Sequence, residues 1–130
     1  HSDLKKTCDR HNKKYYKKYK KWCDQYFYLK HRNEARGIGG IFFDYKKQNW
    51  KKDFEFVRDL GVTFKKIFKD IIIKNKNKKW TFKQKEIQYF KRGRYAEFNL
   101  LYDRGTKFGL QTDGNIEGIL MSMPPLAKWK

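Results

Sequence analysis

The sequence predicts an α+β fold in which helices and antiparallel strands occupy separate stretches of one chain. Three observations carry that prediction. Apolar and aromatic residues recur at three- and four-residue spacing from 16 to 30 and again from 56 to 71, the period of a helix with one buried face. Residues 95–102 instead alternate, with Ala96, Phe98, Leu100 and Tyr102 set against Tyr95, Glu97, Asn99 and Leu101, the period of a strand. Beyond them, 107–112 and 116–123 read as extended runs, and Asp113-Gly114 between them is a hairpin signal. Together these predict a single domain over 1–130, with an antiparallel β-sheet flanked by helices.

Taken in order, Ser2 or Asp3 predicts the cap of a first short helix with Leu4 and Cys8 on one side. His11-Asn12 marks a break. Tyr16, Tyr19, Trp22, Cys23, Tyr26, Phe27 and Lys30 then share a helical face opposite Lys17, Lys18, Lys20, Lys21, Asp24 and Gln25. That aromatic stripe reads as core. Residues 31–40 are irregular, and 38–44 predict a buried strand. Asp53 predicts the cap of a long helix whose inner face is Phe56, Val57, Leu60, Phe64, Ile67, Phe68 and Ile71. A Lys/Asn loop follows at 74–79. Thr81 and Gln84 have capping-box spacing, with Ile87 and Phe90 inward and Gly93 as the helix stop. Glu97 and Asn99 on one face of the following strand are unusual for plain core. Pro124-Pro125 ends the last strand.

At 130 residues the chain can bury one core, and its 18% aromatic content offsets a mean hydropathy of −1.05. No apolar run approaches the roughly 20 residues a bilayer requires. The start carries no signal segment and no initiator Met, so the sequence reads as a stretch cut from something longer. A formal charge of +19 invites a nucleic-acid reading. Against it, 26 of the 33 basic residues are Lys, scattered with Asn rather than set in a patterned stripe, so no nucleic-acid partner is expected. Cys8 and Cys23 lack zinc-ligand spacing and are too few for a disulfide framework. They read as reduced thiols packed as small apolar groups, in keeping with a reducing compartment.

The chemistry gathers in two places. Lys30-His31-Arg32-Asn33-Glu34-Ala35-Arg36 leads into a turn with Gly37, Gly39 and Gly40, then into Ile41-Phe42-Phe43-Asp44. Glycine lets backbone approach a ligand closely, and the planar fork of Arg grips carboxylates bidentately. The run therefore suits a polyanionic, carboxylate-bearing ligand, although Arg32 and Arg36 around Glu34 also read as a salt-bridged helix end. Asp103-Arg104 sits where the predicted strand exits into Gly105, a place from which side chains can enter a cleft. The plainer reading is an Asp–Arg pair holding a tight turn.

These two runs, 30–44 and 95–110, resemble separate parts of oxygen-dependent coproporphyrinogen III oxidases, in that family's order. The resemblance extends over 4–9, 16–44, 90–114 and 116–129, and it points to the C-terminal portion of the family. It implies a large antiparallel sheet flanked by helices, a homodimer, and conversion of coproporphyrinogen III to protoporphyrinogen IX. Two propionates are oxidatively decarboxylated to vinyls with O2 as co-substrate and no organic cofactor. It implies catalytic roles for Asp103 and Arg104, the Asp hydrogen-bonding pyrrole N–H groups and the Arg clamping a propionate. It implies substrate contact for Arg32, Arg36, Lys107, Asp113, Gly114 and Asn115. At 113–115 the family usually reads Gly-Gly-Arg, so this chain lacks that cation. His1 and His31 correspond to histidines described as divalent-metal ligands, whereas a lone His is more often a hydrogen-bonded structural group.

The porphyrinogen is thus the expected partner, with dimer contact through the run from Tyr95 to Lys130. Ile119, Met121 and Met123 alternate there with Leu120 and Ser122, so both strand faces carry apolar groups. A cytoplasmic location is expected, with mitochondrion or plastid left open. The rival classes are a basic module for nucleic acid or acidic partners and a non-catalytic dimerisation half.

Overall fold

The computed structural model describes residues 1–47 and 49–129. The chain forms two compact units, His1–Tyr26 with Gly39–Lys79 and Phe27–Ile38 with Trp80–Lys130.

The first unit holds three helices, α1 (Ser2–His11), α2 (Tyr15–Tyr26) and α3 (Trp50–Asn75). The break at His11-Asn12 lies where the sequence predicts it, with the Asn12 N–H donating to the Cys8 carbonyl. α1 crosses α3 through Thr7, whose hydroxyl bonds the Asp3 carbonyl and the Thr63 hydroxyl, each at 3.0 Å. Arg10 and His11 both reach Asp59. Burial alone would raise the Asp59 pKa, but the hydrogen bonds from His11 and Arg10 outweigh it and hold that carboxyl below its ordinary range. Cys8, Tyr19 and Phe56 form the core, with Tyr15, Tyr16, Ile41, Phe43 and Leu60 around them.

Two expectations fail here for identifiable reasons. Residues 38–44 form no strand. The Phe42 N–H donates to the Tyr19 carbonyl at 3.2 Å and the Phe42 ring stacks on Tyr26 at 4.7 Å. The apolar run is thus satisfied by docking on a helix, not by a ladder. The cap of α3 is Asn49, which accepts from the Lys52 N–H. Asp53 instead pairs with Lys46 at 2.8 Å. Lys46 also donates to the hydroxyls of Tyr15 and Tyr19. Burial works against its charge, but Asp53 and the two tyrosines outweigh that and hold its pKa well above the ordinary Lys range.

The second unit begins with a hairpin, β1 (Tyr28–Leu29) and β2 (Glu34–Ala35), paired antiparallel with Tyr28 opposite Ala35 and Leu29 opposite Glu34. Its β1 arm packs on α4 (Phe82–Leu101), and α5 (Arg104–Gln111) and α6 (Ile116–Leu120) follow. The fold is therefore mostly helical, with one small antiparallel pair among the described residues. The Thr81–Gln84 capping box is present in both directions, at 3.2 and 2.8 Å.

The extended runs predicted over 95–102, 107–112 and 116–123 lie instead in or beside α4, α5 and α6. In α4, Tyr89, Gly93 and Ala96 recur at helical spacing on the inner side. A short run can satisfy both periods, and here the helical one wins. Asp113-Gly114 accordingly joins two helices, with Asp113 at φ 52° and the Gly114 N–H donating to the Gly109 carbonyl. Gly93 does not stop the helix. A Cβ there would stand 2.5 Å from the Lys128 carbonyl oxygen, so glycine is required by the close approach of the C-terminal segment. No described helix is long and apolar enough to cross a membrane.

Candidate functional site

The hairpin turn and one face of α4 bring five ionisable side chains together. The Arg32 N–H is drawn back to the Leu29 carbonyl, and Asn33 takes a positive φ of 53°. This tight turn projects His31 and Arg32 toward α4. Arg32 grips Glu97 with two parallel bonds, Nε to Oε2 at 3.0 Å and Nη2 to Oε1 at 2.6 Å. His31 Nε2 lies 2.7 Å from Glu97 Oε2, and its Nδ1 lies 2.9 Å from the Tyr102 hydroxyl. Arg94, one turn before Glu97, bonds Glu34 through Nε and stands 3.7 Å from Glu97 through Nη1. That Nη1 is buried without a hydrogen-bond partner.

Glu97 is the hub. Its side chain is only 10% exposed. The Arg32 fork is the main cause holding its carboxyl down to about 2, burial opposes it, and the His31 ring and the field of Arg94 assist. Glu34 is likewise held low, chiefly by Arg94. Below this cluster Leu29 and Phe98 are buried, and Phe27 packs on Phe98 at 5.0 Å. The Arg36 guanidinium lies over Phe27, Tyr95 and Phe98 at 4.4, 5.1 and 5.2 Å. Arg32 and Arg36 thus share no helix face. One is held by a carboxylate and the other by an aromatic cage.

Asp103 caps α5. Its Oδ2 accepts from the Thr106 N–H at 2.8 Å and from the Thr106 hydroxyl at 3.0 Å. Arg104 opens the same helix and Lys107 is exposed one turn on. Asn115 caps α6, accepting from the Gly118 N–H. His1 belongs to the first unit, where its Nδ1 meets the Tyr16 hydroxyl at 3.2 Å. The ring nitrogens of His31 face Tyr102 and Glu97, and among the described residues no three His, Cys, Asp or Glu side chains converge on one point. A cleft of about 380 Å³ lies elsewhere in the second unit, between α4 and residues 122–126, with Lys85 and Arg92 as its cations.

Glu34, Arg94, Glu97 and Tyr102 were not among the residues predicted for a site. The one sequence signal for them was Glu97, a carboxylate on a face otherwise fit for core. Its partners lie 65 and 66 positions away, and separations of that size leave no periodicity to read.

Comparison with known proteins agrees with the local resemblances. The family profile described as Coproporphyrinogen III oxidase matches residues 1–130. Proteins named oxygen-dependent coproporphyrinogen-III oxidase from Rickettsia bellii (strain OSU 85-389) and Rickettsia rickettsii (strain Sheila Smith) are each 55% identical over 130 residues. The protein of that name from Rickettsia akari (strain Hartford) is 54% identical. Each match takes in 99% of this chain and 47% of the relative, so the chain spans about half the length of the curated relatives it matches. On the strength of that match across its whole length, this chain belongs to the coproporphyrinogen III oxidase family.

Proposed function

We propose that this chain forms part of an oxygen-dependent coproporphyrinogen III oxidase. Its substrate is coproporphyrinogen III and its product protoporphyrinogen IX. Each of two propionates loses CO2 and the equivalent of a hydride to become a vinyl, and O2 accepts the electrons. The observation that carries this reading is the family match over all 130 residues, with 54–55% identity to proteins named for that activity.

In this reading Asp103 and Arg104 are catalytic residues. A carboxylate accepts about four hydrogen bonds, so Asp103 can cap α5 and still receive pyrrole N–H groups. Charge developing on the ring is stabilised by such a fixed anion. Arg104 supplies a fork for a propionate. Arg32, Arg36, Lys107, Asp113, Gly114 and Asn115 make the remaining substrate contacts, Asn115 without the charge the family places there. No organic cofactor is invoked and no step passes through a metal. The family's large sheet is assigned to the complete protein. The homodimer is assigned to residues 95–130, of which Lys130 lies outside the described residues. Exposed Phe108, Ile116, Met121 and Leu126 support that assignment. The proposed location is the cytoplasm.

The test is reconstitution. The chain is co-expressed with the remaining segment of the Rickettsia bellii relative, and coproporphyrinogen III is supplied with and without O2. Protoporphyrinogen IX formed only with O2, and lost in Asp103→Ala, supports the reading. Assembled protein that leaves the substrate unchanged in air refutes it.

A further inference from the structure

α3 has two apolar faces, and its own unit covers one. The face with Phe56, Leu60 and Thr63 looks into the core and toward α1. About a quarter-turn around the helix, at about 100° per residue, lies a second stripe. It comprises Phe54, Val57, Phe64, Phe68, Ile71 and Ile72, each between 44% and 62% exposed. From Phe54 to Ile72 it runs about 27 Å at about 1.5 Å per residue. One edge carries Lys51, Arg58, Lys65 and Lys69, all exposed, at steps that keep them on one side of the stripe.

We propose that this stripe is the docking surface for the portion of the coproporphyrinogen III oxidase polypeptide that this chain does not span. The contact is an apolar seam bordered by acidic side chains that meet the basic edge. Three observations select this occupant. The relatives carry more than half their length outside the match, since the chain covers 47% of them. An exposed apolar stripe of this length marks a protein interface more than a solvated surface. A second copy of the chain is the rival, but the exposed basic edge of the stripe works against pairing two such stripes face to face. The proposal rests on family membership and not on the reaction, so it is scored by binding, without turnover.

The chain is co-expressed with the remaining segment of the Rickettsia bellii relative, purified through a tag on that segment, and its affinity measured by titration. A one-to-one complex is expected. Phe64→Glu with Phe68→Glu should weaken it at least about tenfold. Lys66→Gln, on the opposite side of α3, should leave it unchanged. Should the double variant lose its helical circular dichroism, Phe64→Cys replaces it. In the complex, its reaction with a maleimide should slow at least about tenfold, as expected for a residue buried in an interface core. Absence of a complex, a complex indifferent to the double variant, or an unprotected thiol at 64 overturns the proposal. So does a dimer of this chain, seen by sedimentation, that the double variant dissolves.

Discussion

Replacing Glu97 by Gln removes the charge at the centre of the hairpin–α4 cluster while keeping the side chain's size. The carboxyl is held from an ordinary 4.5 down to about 2, a drop of about two and a half pH units. At about 1.4 kcal/mol per pH unit, the ceiling on its contribution is about 3–4 kcal/mol. The Arg32 and His31 side chains are each 34% exposed, so water screens part of this, and about 1.5–2 kcal/mol is expected near neutrality. A depressed carboxylate pKa stabilises the fold above the unfolded value and loses that contribution as pH falls through the folded one. The wild type should therefore exceed Glu97→Gln by a constant margin from pH 7 to about 5. The margin should shrink from about pH 4.5 toward pH 2. Urea denaturation of both proteins from pH 7 to pH 3 measures it. A margin below about 0.5 kcal/mol at pH 7, the level of an ordinary surface change, would refute the idea that Glu97 organises the cluster. A margin that does not change with pH would refute its electrostatic origin.

Gly93→Ala places a Cβ 2.5 Å from the Lys128 carbonyl, so it should cost about 1–3 kcal/mol by overpacking, read by thermal denaturation. A stabilised variant would show that Gly93 is only a helix weakness. Lys46→Met removes the cation that pairs with Asp53 at 2.8 Å, both side chains being 13% exposed. It should cost about 3 kcal/mol, most of it recovered when Asp53→Leu is added. Asp103→Ala removes the α5 cap and should cost about 1 kcal/mol. In the assembled enzyme it should also lower turnover by at least about tenfold, and a stability loss with unchanged kcat would leave Asp103 a cap alone. Arg36→Lys, which keeps the charge but not the fork, should raise KM for the porphyrinogen more than it changes kcat in steady-state assays.

What was legible in the sequence was local. The Thr81–Gln84 box is made by residues three apart and appears as read. So do the break after α1 and the inward placement of Cys8, Tyr19 and Cys23. What failed was decided by distant partners. The alternation at 95–102 is short enough to fit either period, and packing against the hairpin and the C-terminal segment selects the helix. Gly93 looked like a stop because its real constraint is a carbonyl 35 positions later. α3 was read with one broad inner face, whereas only the Phe56 side meets a neighbour in its unit. At the site, Arg32 and Arg36 were read as grips for a ligand's carboxylates or as a salt-bridged helix end, whereas Arg32 engages the carboxylate of Glu97 and Arg36 lies over the rings of Phe27, Tyr95 and Phe98. Their partners Glu97, Phe27, Tyr95 and Phe98 come from separate elements, and no spacing rule pairs them.

The central claim, that this chain is part of a porphyrinogen-decarboxylating oxidase, meets its most direct test in carbon dioxide release. Coproporphyrinogen III labelled at its propionate carboxyls is given to the chain assembled with the remaining segment of the Rickettsia bellii relative. Two labelled CO2 per porphyrinogen consumed are expected, none without O2 and none from either piece alone. Assembled protein that binds the porphyrinogen yet releases no label in air would contradict it.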